Sequence, residues 1–432
     1  MGTIHVAQIQ RLRCYIEPAG ATYFGIDHSG TLGDFFDVPA IEGSIEFKIN
    51  PNNIDKKYLR QDRDQYAGVL LGVQTATLSF DLPWFFSTLR SVAGGTPVAI
   101  AETPTSKLLG AWLGGQAIGT SMDADASCTV STIKTADYAN AAEGCGIAWA
   151  DTAGKMYARK VVQVDGSNDL ILDQALPSAP VAADPVYRGL DLYPANRTTA
   201  NVKSFQFLLE GANFDDDAWL CLGGQCMAAP QLTMKNSERP IWKFTFEFAK
   251  CIRKEALLSA TNNVTYTNVK EIFVADGVFT AYGIDIANPY TPVAIKTNLA
   301  VSDATFDFGE TKYMKLTSPG GPGGLFGYII GGESPKASGK FTLPWEVGDE
   351  VFIDLYEAHT PITINMQVGS SETDGCGLIT VQNAYISEFQ IDRKLGIVSQ
   401  EISWKACLDS QHYTGVDTAT ELSKAPFKIF MF

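Results

Sequence analysis

Residues 77–84 read Thr77-Leu-Ser-Phe-Asp-Leu-Pro-Trp84, an alternation of apolar and polar side chains that closes on Leu82-Pro83-Trp84. The tripeptide returns at Leu343-Pro344-Trp345, again after an alternating stretch. Alternation with a period of two marks a strand with one face buried and the other wet. It recurs in Trp242-Lys-Phe-Thr-Phe-Glu-Phe-Ala249, where Trp242, Phe244, Phe246 and Phe248 share a face opposite Lys243, Thr245 and Glu247. Ala304-Thr-Phe-Asp-Phe308 and Gln400-Glu-Ile-Ser-Trp-Lys-Ala-Cys407 repeat it. The chain is expected to be mainly β.

Working outward from the two tripeptides, the same elements appear in the same order. Lys56-Lys-Tyr-Leu-Arg60 precedes the first and Thr311-Lys-Tyr-Met-Lys315 the second. Each is followed by a glycine-rich segment, Ala67–Gly72 and Gly324–Gly331. After each tripeptide comes a candidate helix. Thr103-Pro-Thr-Ser-Lys-Leu-Leu-Gly-Ala-Trp-Leu-Gly114 has an N-cap, a proline at the first helical position and a terminal glycine. Leu108, Leu109, Trp112 and Leu113 form its apolar stripe. Asp349–His359 opens on acidic residues, which suit a helix N-terminus, and Pro361 lies just beyond it. Each half then closes with a hairpin whose last strand carries a tryptophan and a cysteine, Cys251 or Cys407. Such an order indicates two copies of one β-rich unit.

The copies differ in length, since Trp84 to Cys251 far exceeds Trp345 to Cys407. The excess lies mostly between Gly115 and Pro194, where Ala, Asp, Thr and Gly dominate. Met156–Val164 and Leu170–Leu172 flank the turn Asp165-Gly-Ser-Asn168, as a hairpin would. The expected organisation is a first unit over 1–114 and 195–262, a small inserted β domain over 115–194 that protrudes from its host, and a second unit over 263–432.

Composition narrows the function. With 432 residues, 45% of them hydrophobic, 11% aromatic and only 19% charged, the chain is globular rather than disordered. No apolar run reaches the roughly 20 residues of a membrane span, and Met1-Gly-Thr-Ile-His-Val does not open a signal peptide. A soluble protein made inside a cell, with no membrane partner, is expected. The net charge is −15, and both halves are acidic, with 22 basic and 28 acidic residues up to 262 and 11 and 20 beyond it. Gripping a duplex needs cations on its phosphates, so a nucleic-acid-binding module is disfavoured.

The residues offer little chemistry. Eight cysteines without a C-x-x-C pair and four scattered histidines read as buried thiols, with no metal site and no cofactor. Asp215-Asp216-Asp217 could serve a β-rich polysaccharide hydrolase, but general acid–base work needs partners across a cleft, and a solvated turn is the simpler reading. Asp123-Ala-Asp125 lacks the glycine and glutamate of a calcium loop. Gly320-Gly-Pro-Gly-Gly-Leu-Phe-Gly327 lacks the lysine of a phosphate cradle and reads as a loop between strands. No catalytic residue is assigned, and no enzymatic activity is expected.

The stretch from Asn52 to Asp64 mixes both charge signs with apolar residues between two strands. Either it is a solvated loop, or it docks onto a partner, charges choosing the register and apolar residues supplying burial. Its duplicate around Tyr313 favours docking. The candidates are Ile54, Asp55, Lys56, Lys57, Tyr58, Arg60, Asp62 and Arg63, with Lys312, Tyr313 and Lys315 in the second copy.

Two β-rich units, each with a short helix and a long mixed loop, resemble the tail tube proteins of long-tailed, siphovirus-like bacteriophages. The segments that carry the resemblance are Thr103–Gly114 and Val164-Asp-Gly-Ser-Asn-Asp-Leu-Ile-Leu-Asp-Gln-Ala-Leu-Pro-Ser-Ala-Pro180. It implies tandem antiparallel β-sandwich or barrel domains, each with one helix at its side. It also implies a structural virion protein whose sheets join between neighbours into stacked rings, a negative conduit for DNA ejection. Most members carry one tube domain, so a doubled chain would fill a six-domain ring as a trimer. The implied partners are further copies, the tape measure, terminator and baseplate proteins, and DNA in transit. The implied location is the virion tail, after synthesis in the host cytoplasm. A baseplate hub or distal tail ring is the alternative role.

Overall fold

A computed structural model describes residues 11–18, 27, 34–57, 66–87, 102–194, 203–210, 218–235, 238–254, 269–271, 278–284, 292–299, 301–309, 313–317, 325–330, 337–345, 350–394, 397–406, 422 and 425–432. In chain order the first strands are β1 (Arg11–Ile16), β2 (Phe36–Asp37), β3 (Glu46–Lys57), β4 (Tyr66–Pro83) and β5 (Phe85–Ser87), followed by helix α1 (Pro104–Leu113) and β6 (Gly114–Ile118). Next come β7 (Met122–Asp123), β8 (Thr132–Lys134), β9 (Gly146–Ala150), β10 (Met156–Asp165), β11 (Asp169–Leu172) and β12 (Pro185–Arg188). They lead to β13 (Leu190–Pro194), β14 (Phe205–Glu210), β15 (Ala218–Lys235), β16 (Ile241–Lys254) and β17 (Val269–Glu271). The rest are β18 (Val278–Ile284), β19 (Pro292–Leu299), β20 (Asp303–Asp307), β21 (Tyr313–Thr317), β22 (Leu325–Ile330), β23 (Ser338–Pro344), α2 (Glu350–Glu357), β24 (Ile362–Ser371), β25 (Gly375–Lys394), β26 (Ile397–Ala406) and β27 (Phe427–Met431). The mainly β expectation is met, with antiparallel pairing throughout the described strands.

One strand order occurs twice along the chain. One half pairs as β2–β1–β14–β15–β16–β4–β3 and the other as β19–β18–β24–β25–β26–β23–β20. Leu-Pro-Trp closes β4 and β23 alike. The Trp84 amide donates to the Pro240 carbonyl at 3.0 Å, and the Trp345 amide to the Val398 carbonyl at 2.9 Å. The proline itself has no amide to donate, and the bond from the tryptophan after it is the one that follows the last paired residue of β4 and of β23. This register corrects one landmark of the sequence reading. Trp242 is level with Gln400, and Trp404 with Phe246, so the closing tryptophans are not equivalent. Cys407 lies outside the described residues.

Both helices fall where the sequence places them. Thr103 Oγ1 accepts from the Ser106 amide at 3.1 Å while Ser106 Oγ accepts from the Thr103 amide at 2.8 Å, a reciprocal cap. Gly114 ends α1 at φ 78°, a left-handed conformation open to glycine. Every α1 residue except Lys107 is buried, whereas α2 buries only Phe352 fully.

The insertion is more integrated than a protruding domain. Its six strands form their own sheet, ordered β7-β12-β9-β10-β11-β8, and residues 114–118 and 190–194 pair with each other outside it. One face builds a core around Ile147, Trp149, Val161 and Val186, which Leu422 of the second half joins. The other face, with Ala148, Met156, Ala158 and Tyr187, packs on Cys376, Leu378, Phe430 and Phe432 of the second half. A sheet apolar on both sides cannot stand in water, which is why it lies down on its neighbour. Polar groups fasten the seam. Gln367 Oε1 accepts from the Ala158 amide at 2.9 Å, and Asn365 Nδ2 donates to Asp173 Oδ2 at 2.6 Å. Nearby, Arg188 Nη2 stands 3.0 Å from Asp191 Oδ2, and Lys428 Nζ donates to Gln382 Oε1 at 3.1 Å, all four residues buried.

Candidate functional site

The two halves share one sheet, and the place where they meet positions the candidate site. The end of β15 pairs with β20, Gln231 opposite Asp307, Thr233 opposite Thr305 and Lys235 opposite Asp303. Through this junction an antiparallel sheet runs without interruption along β3, β4, β16, β15, β20, β23, β26 and β25. It curls as a half-barrel.

Each strand lends the sheet one dry face and one wet face, because opposed residues in an antiparallel pair point the same way. The dry face is aromatic. Phe80 stacks on Phe244 and Phe246 at 5.6 and 6.0 Å between ring centres, and Trp84 meets Trp242 edge-on at 5.7 Å. Across the junction Trp242 stacks on Phe308 at 5.4 Å, so the core too is continuous. Gly377 in β25 admits this packing: a Cβ there would stand 2.7 Å from the Trp84 ring.

The wet face carries Glu46, Asp81, Glu247, Asp303, Asp307, Glu388, Asp392 and Glu401 against Lys48, Lys235, Lys243, Lys340 and Lys405. Acids outnumber bases. Lys340 Nζ reaches Glu401 Oε2 at 3.0 Å, both substantially exposed, and Ser79 Oγ lies 3.1 Å from Thr245 Oγ1. Such exposed pairs contribute little to stability, so this polarity is a property of the surface rather than a brace for the fold.

The candidate docking residues divide. Ile54, Asp55, Lys56 and Lys57 belong to β3, with Ile54 opposite Leu70 and Lys57 opposite Tyr66, so this part is a hairpin arm rather than a loop. Tyr313 and Lys315 lie in β21, opposite Ile330 and Tyr328 of β22. Each set thus occupies the arm of its own hairpin. Tyr58, Arg60, Asp62, Arg63 and Lys312 lie outside the described residues, as does Asp215-Asp216-Asp217. Of the cysteines described, six are buried and Cys128 is half-buried. Cys221 and Cys251 face each other across β15 and β16 with sulfurs 3.5 Å apart, and burial raises the Cys221 thiol well above its ordinary range. Among the described residues no group of three or more metal-ligating side chains occurs.

One region was not singled out by sequence reasoning, the β15–β20 junction. The repeat itself held the signal, since β3 and β20 occupy equivalent positions and, among the described residues, only β20 pairs with a second strand.

Among solved structures the chain is similar to the SPP1 tail tube, determined by solid-state NMR and cryo-EM. The identity is 19%, over 31% of this chain and 74% of that one, with a TM-score of 0.23. A superposition that loose lends no weight to a functional statement. No family model matches the chain. No curated protein matches it either.

Proposed function

We propose that this chain is a structural protein of a bacteriophage tail that assembles with its own copies into the stacked rings of a tail tube. The supporting observation is the sheet that passes from one half to the other through β15 and β20, dry on one face and wet and acidic on the other. A chain that already joins two of its units edge to edge is suited to join more. The face, turned to the lumen, carries more acids than lysines, so its net charge repels DNA phosphates and the polymer slides.

In this reading residues 1–114 with 195–262 and residues 263–432 are the two tube units, and 115–194 is the insertion. Three chains would supply a ring of six units, and the rings would meet through the hairpin arms that carry Ile54–Lys57 and Tyr313–Lys315. The chain acts by assembly rather than by catalysis, in the virion tail, beside the tape measure, terminator and baseplate proteins.

Negative-stain microscopy of the purified full-length protein, over a range of concentration and salt, tests this. Stacked rings are the expected result. Single rings that never stack would assign the chain to a baseplate hub or distal tail ring. Monomers under every condition would overturn self-assembly.

A further inference from the structure

β15 and β16 set two thiols face to face. Cys221 lies directly opposite Cys251 in their antiparallel ladder, and the two sulfurs stand 3.5 Å apart. Opposed residues of such a pair point to the same face with Cα atoms about 4.5–5.5 Å apart, a span that a disulfide bridges. Closing from this contact to a bond of about 2.05 Å takes rotation of the side chains rather than movement of a strand.

The surroundings suit the bonded form. Both sulfurs belong to the aromatic core, where Phe207 of β14 is the neighbour of Cys221 on its other side. A thiol there is a weak donor among apolar groups, and a disulfide has no proton to place. Cys14 follows beyond Phe207, two strands and about 10 Å from Cys221, too far to compete with Cys251. Cys226, in the same strand as Cys221, lies opposite Phe246. Position matters as well. β4 accompanies β16 from Ile241 to Phe248, and β15 accompanies it on to Lys254. Cys251 thus lies past the last β4 pair, toward the open end of the β15–β16 hairpin. A bond there ties down the end of β16 and joins residues 30 apart in the chain, which restricts the unfolded state.

We propose that Cys221 and Cys251 form an oxidisable pair, converted by a hydroperoxide into a cross-strand disulfide that locks the open end of the hairpin. Cys251, 6% exposed against 0% for Cys221, is the thiol that meets the oxidant. Its sulfur attacks one peroxide oxygen, forming an S–O bond as the O–O bond breaks. Its proton leaves with the other oxygen, as water or an alcohol. The Cys221 sulfur then attacks that of Cys251: the S–S bond forms, the S–O bond breaks, and the departing hydroxide takes the Cys221 proton as water. Two thiols lose two electrons in all, and one hydroperoxide gains them. Burial, and after it the contact with Cys251, keeps the Cys221 thiol protonated well above its ordinary range, which fits the second role rather than the first. That second step is favoured because the partner sulfur already stands in contact. Thiols of the glutathione class keep such a pair open in a reducing compartment, and it closes where they are absent. Assembly into rings plays no part in this chemistry.

The test uses the full-length protein, reduced, freed of reductant and exposed in its native state to hydrogen peroxide, with a portion kept in dithiothreitol. Both portions are alkylated with N-ethylmaleimide in denaturant and digested with trypsin without reduction. The expected product joins Cys251-Ile-Arg253 to the peptide Ser204–Lys235, in the oxidised portion only. That peptide also holds Cys226, so fragmentation must place the bond at Cys221 and the alkyl group at Cys226. Cys221→Ala is expected to abolish the linked peptide and Cys226→Ala to keep it. Urea unfolding of the oxidised parent should shift to a higher midpoint than that of the reduced parent, and Cys251→Ala should show no such shift. Alkylation of both Cys221 and Cys251 after peroxide, or a bond from Cys251 to Cys226, would overturn the pair. A bond at Cys221 that leaves the midpoint unmoved would overturn the lock.

Discussion

Lys428 is the residue whose surroundings contradict its chemistry most. Its side chain is fully buried in β27, beside the seam between the insertion and the second half, with Nζ donating to Gln382. Burial, reinforced by the nearby charge of Lys160, holds its pKa well below 10.5, against the pull of Asp191, Cys145 and Asp173. In the unfolded chain the lysine keeps its ordinary value. Between the two values the unfolded state binds more protons than the folded one, so stability rises with pH across that window, up to about 10.5. Lys428→Met removes the titration. Urea unfolding at a series of pH values should show a shallower rise for the variant than for the parent, and parallel slopes would refute the assignment. Asp191 complicates the same seam. Burial raises its carboxyl despite Arg188, so its charge too is held at a cost. A buried ion set of this kind contributes little net stability.

At the scale of the element, the two helices show how much one packing context changes a shared design. Both follow Leu-Pro-Trp. In α1 the cap, the stripe and the terminal glycine agree, and the neighbouring strands β6 and β13 help bury it. Thr103→Ala removes the side-chain acceptor for the Ser106 amide and should cost about 1 kcal/mol, while Thr103→Ser should restore most of it. Thermal unfolding of the three proteins measures the difference; an alanine variant as stable as the parent would show the cap to be idle. The insertion's strands teach a related lesson. Gly146-Ile-Ala-Trp-Ala150 is an unbroken apolar run, and such a run marks a strand covered on both faces. Reading that run would have placed the insertion against a neighbour. Composition alone left it standing free.

For the whole molecule, charge and continuity matter more than any single contact. The wet face of the long sheet is acidic, and the chain as a whole carries −15. Duplex binding scales with the phosphates a protein can neutralise, so the assembled protein should leave DNA mobility unchanged in a gel-shift titration at about 0.15 M salt. Retention of DNA there would contradict the conduit. The polarity of this face was legible in advance, because Lys243, Thr245 and Glu247 alternate with the aromatics of β16 and need no partner to declare themselves. The hairpin arm from Ile54 to Lys57 was less so, since mixed charge fits a loop as well as an edge strand, and only the pairing with β4 distinguishes the two.

What the sequence by itself determined is the kind of strand, the repeat of strands, the capped helix and the acidic balance. All of these are local: a period of two, a Leu-Pro-Trp at the end of a strand, a serine three residues after a threonine. Only the tertiary structure decided that the two halves share a sheet through β15 and β20, and that the insertion lies on the second half. Those outcomes depend on which edge finds which across a long stretch of chain. Hydrogen bonding between backbones is blind to side-chain identity, so the choice falls to the shapes and apolar areas that meet when the strands are brought together.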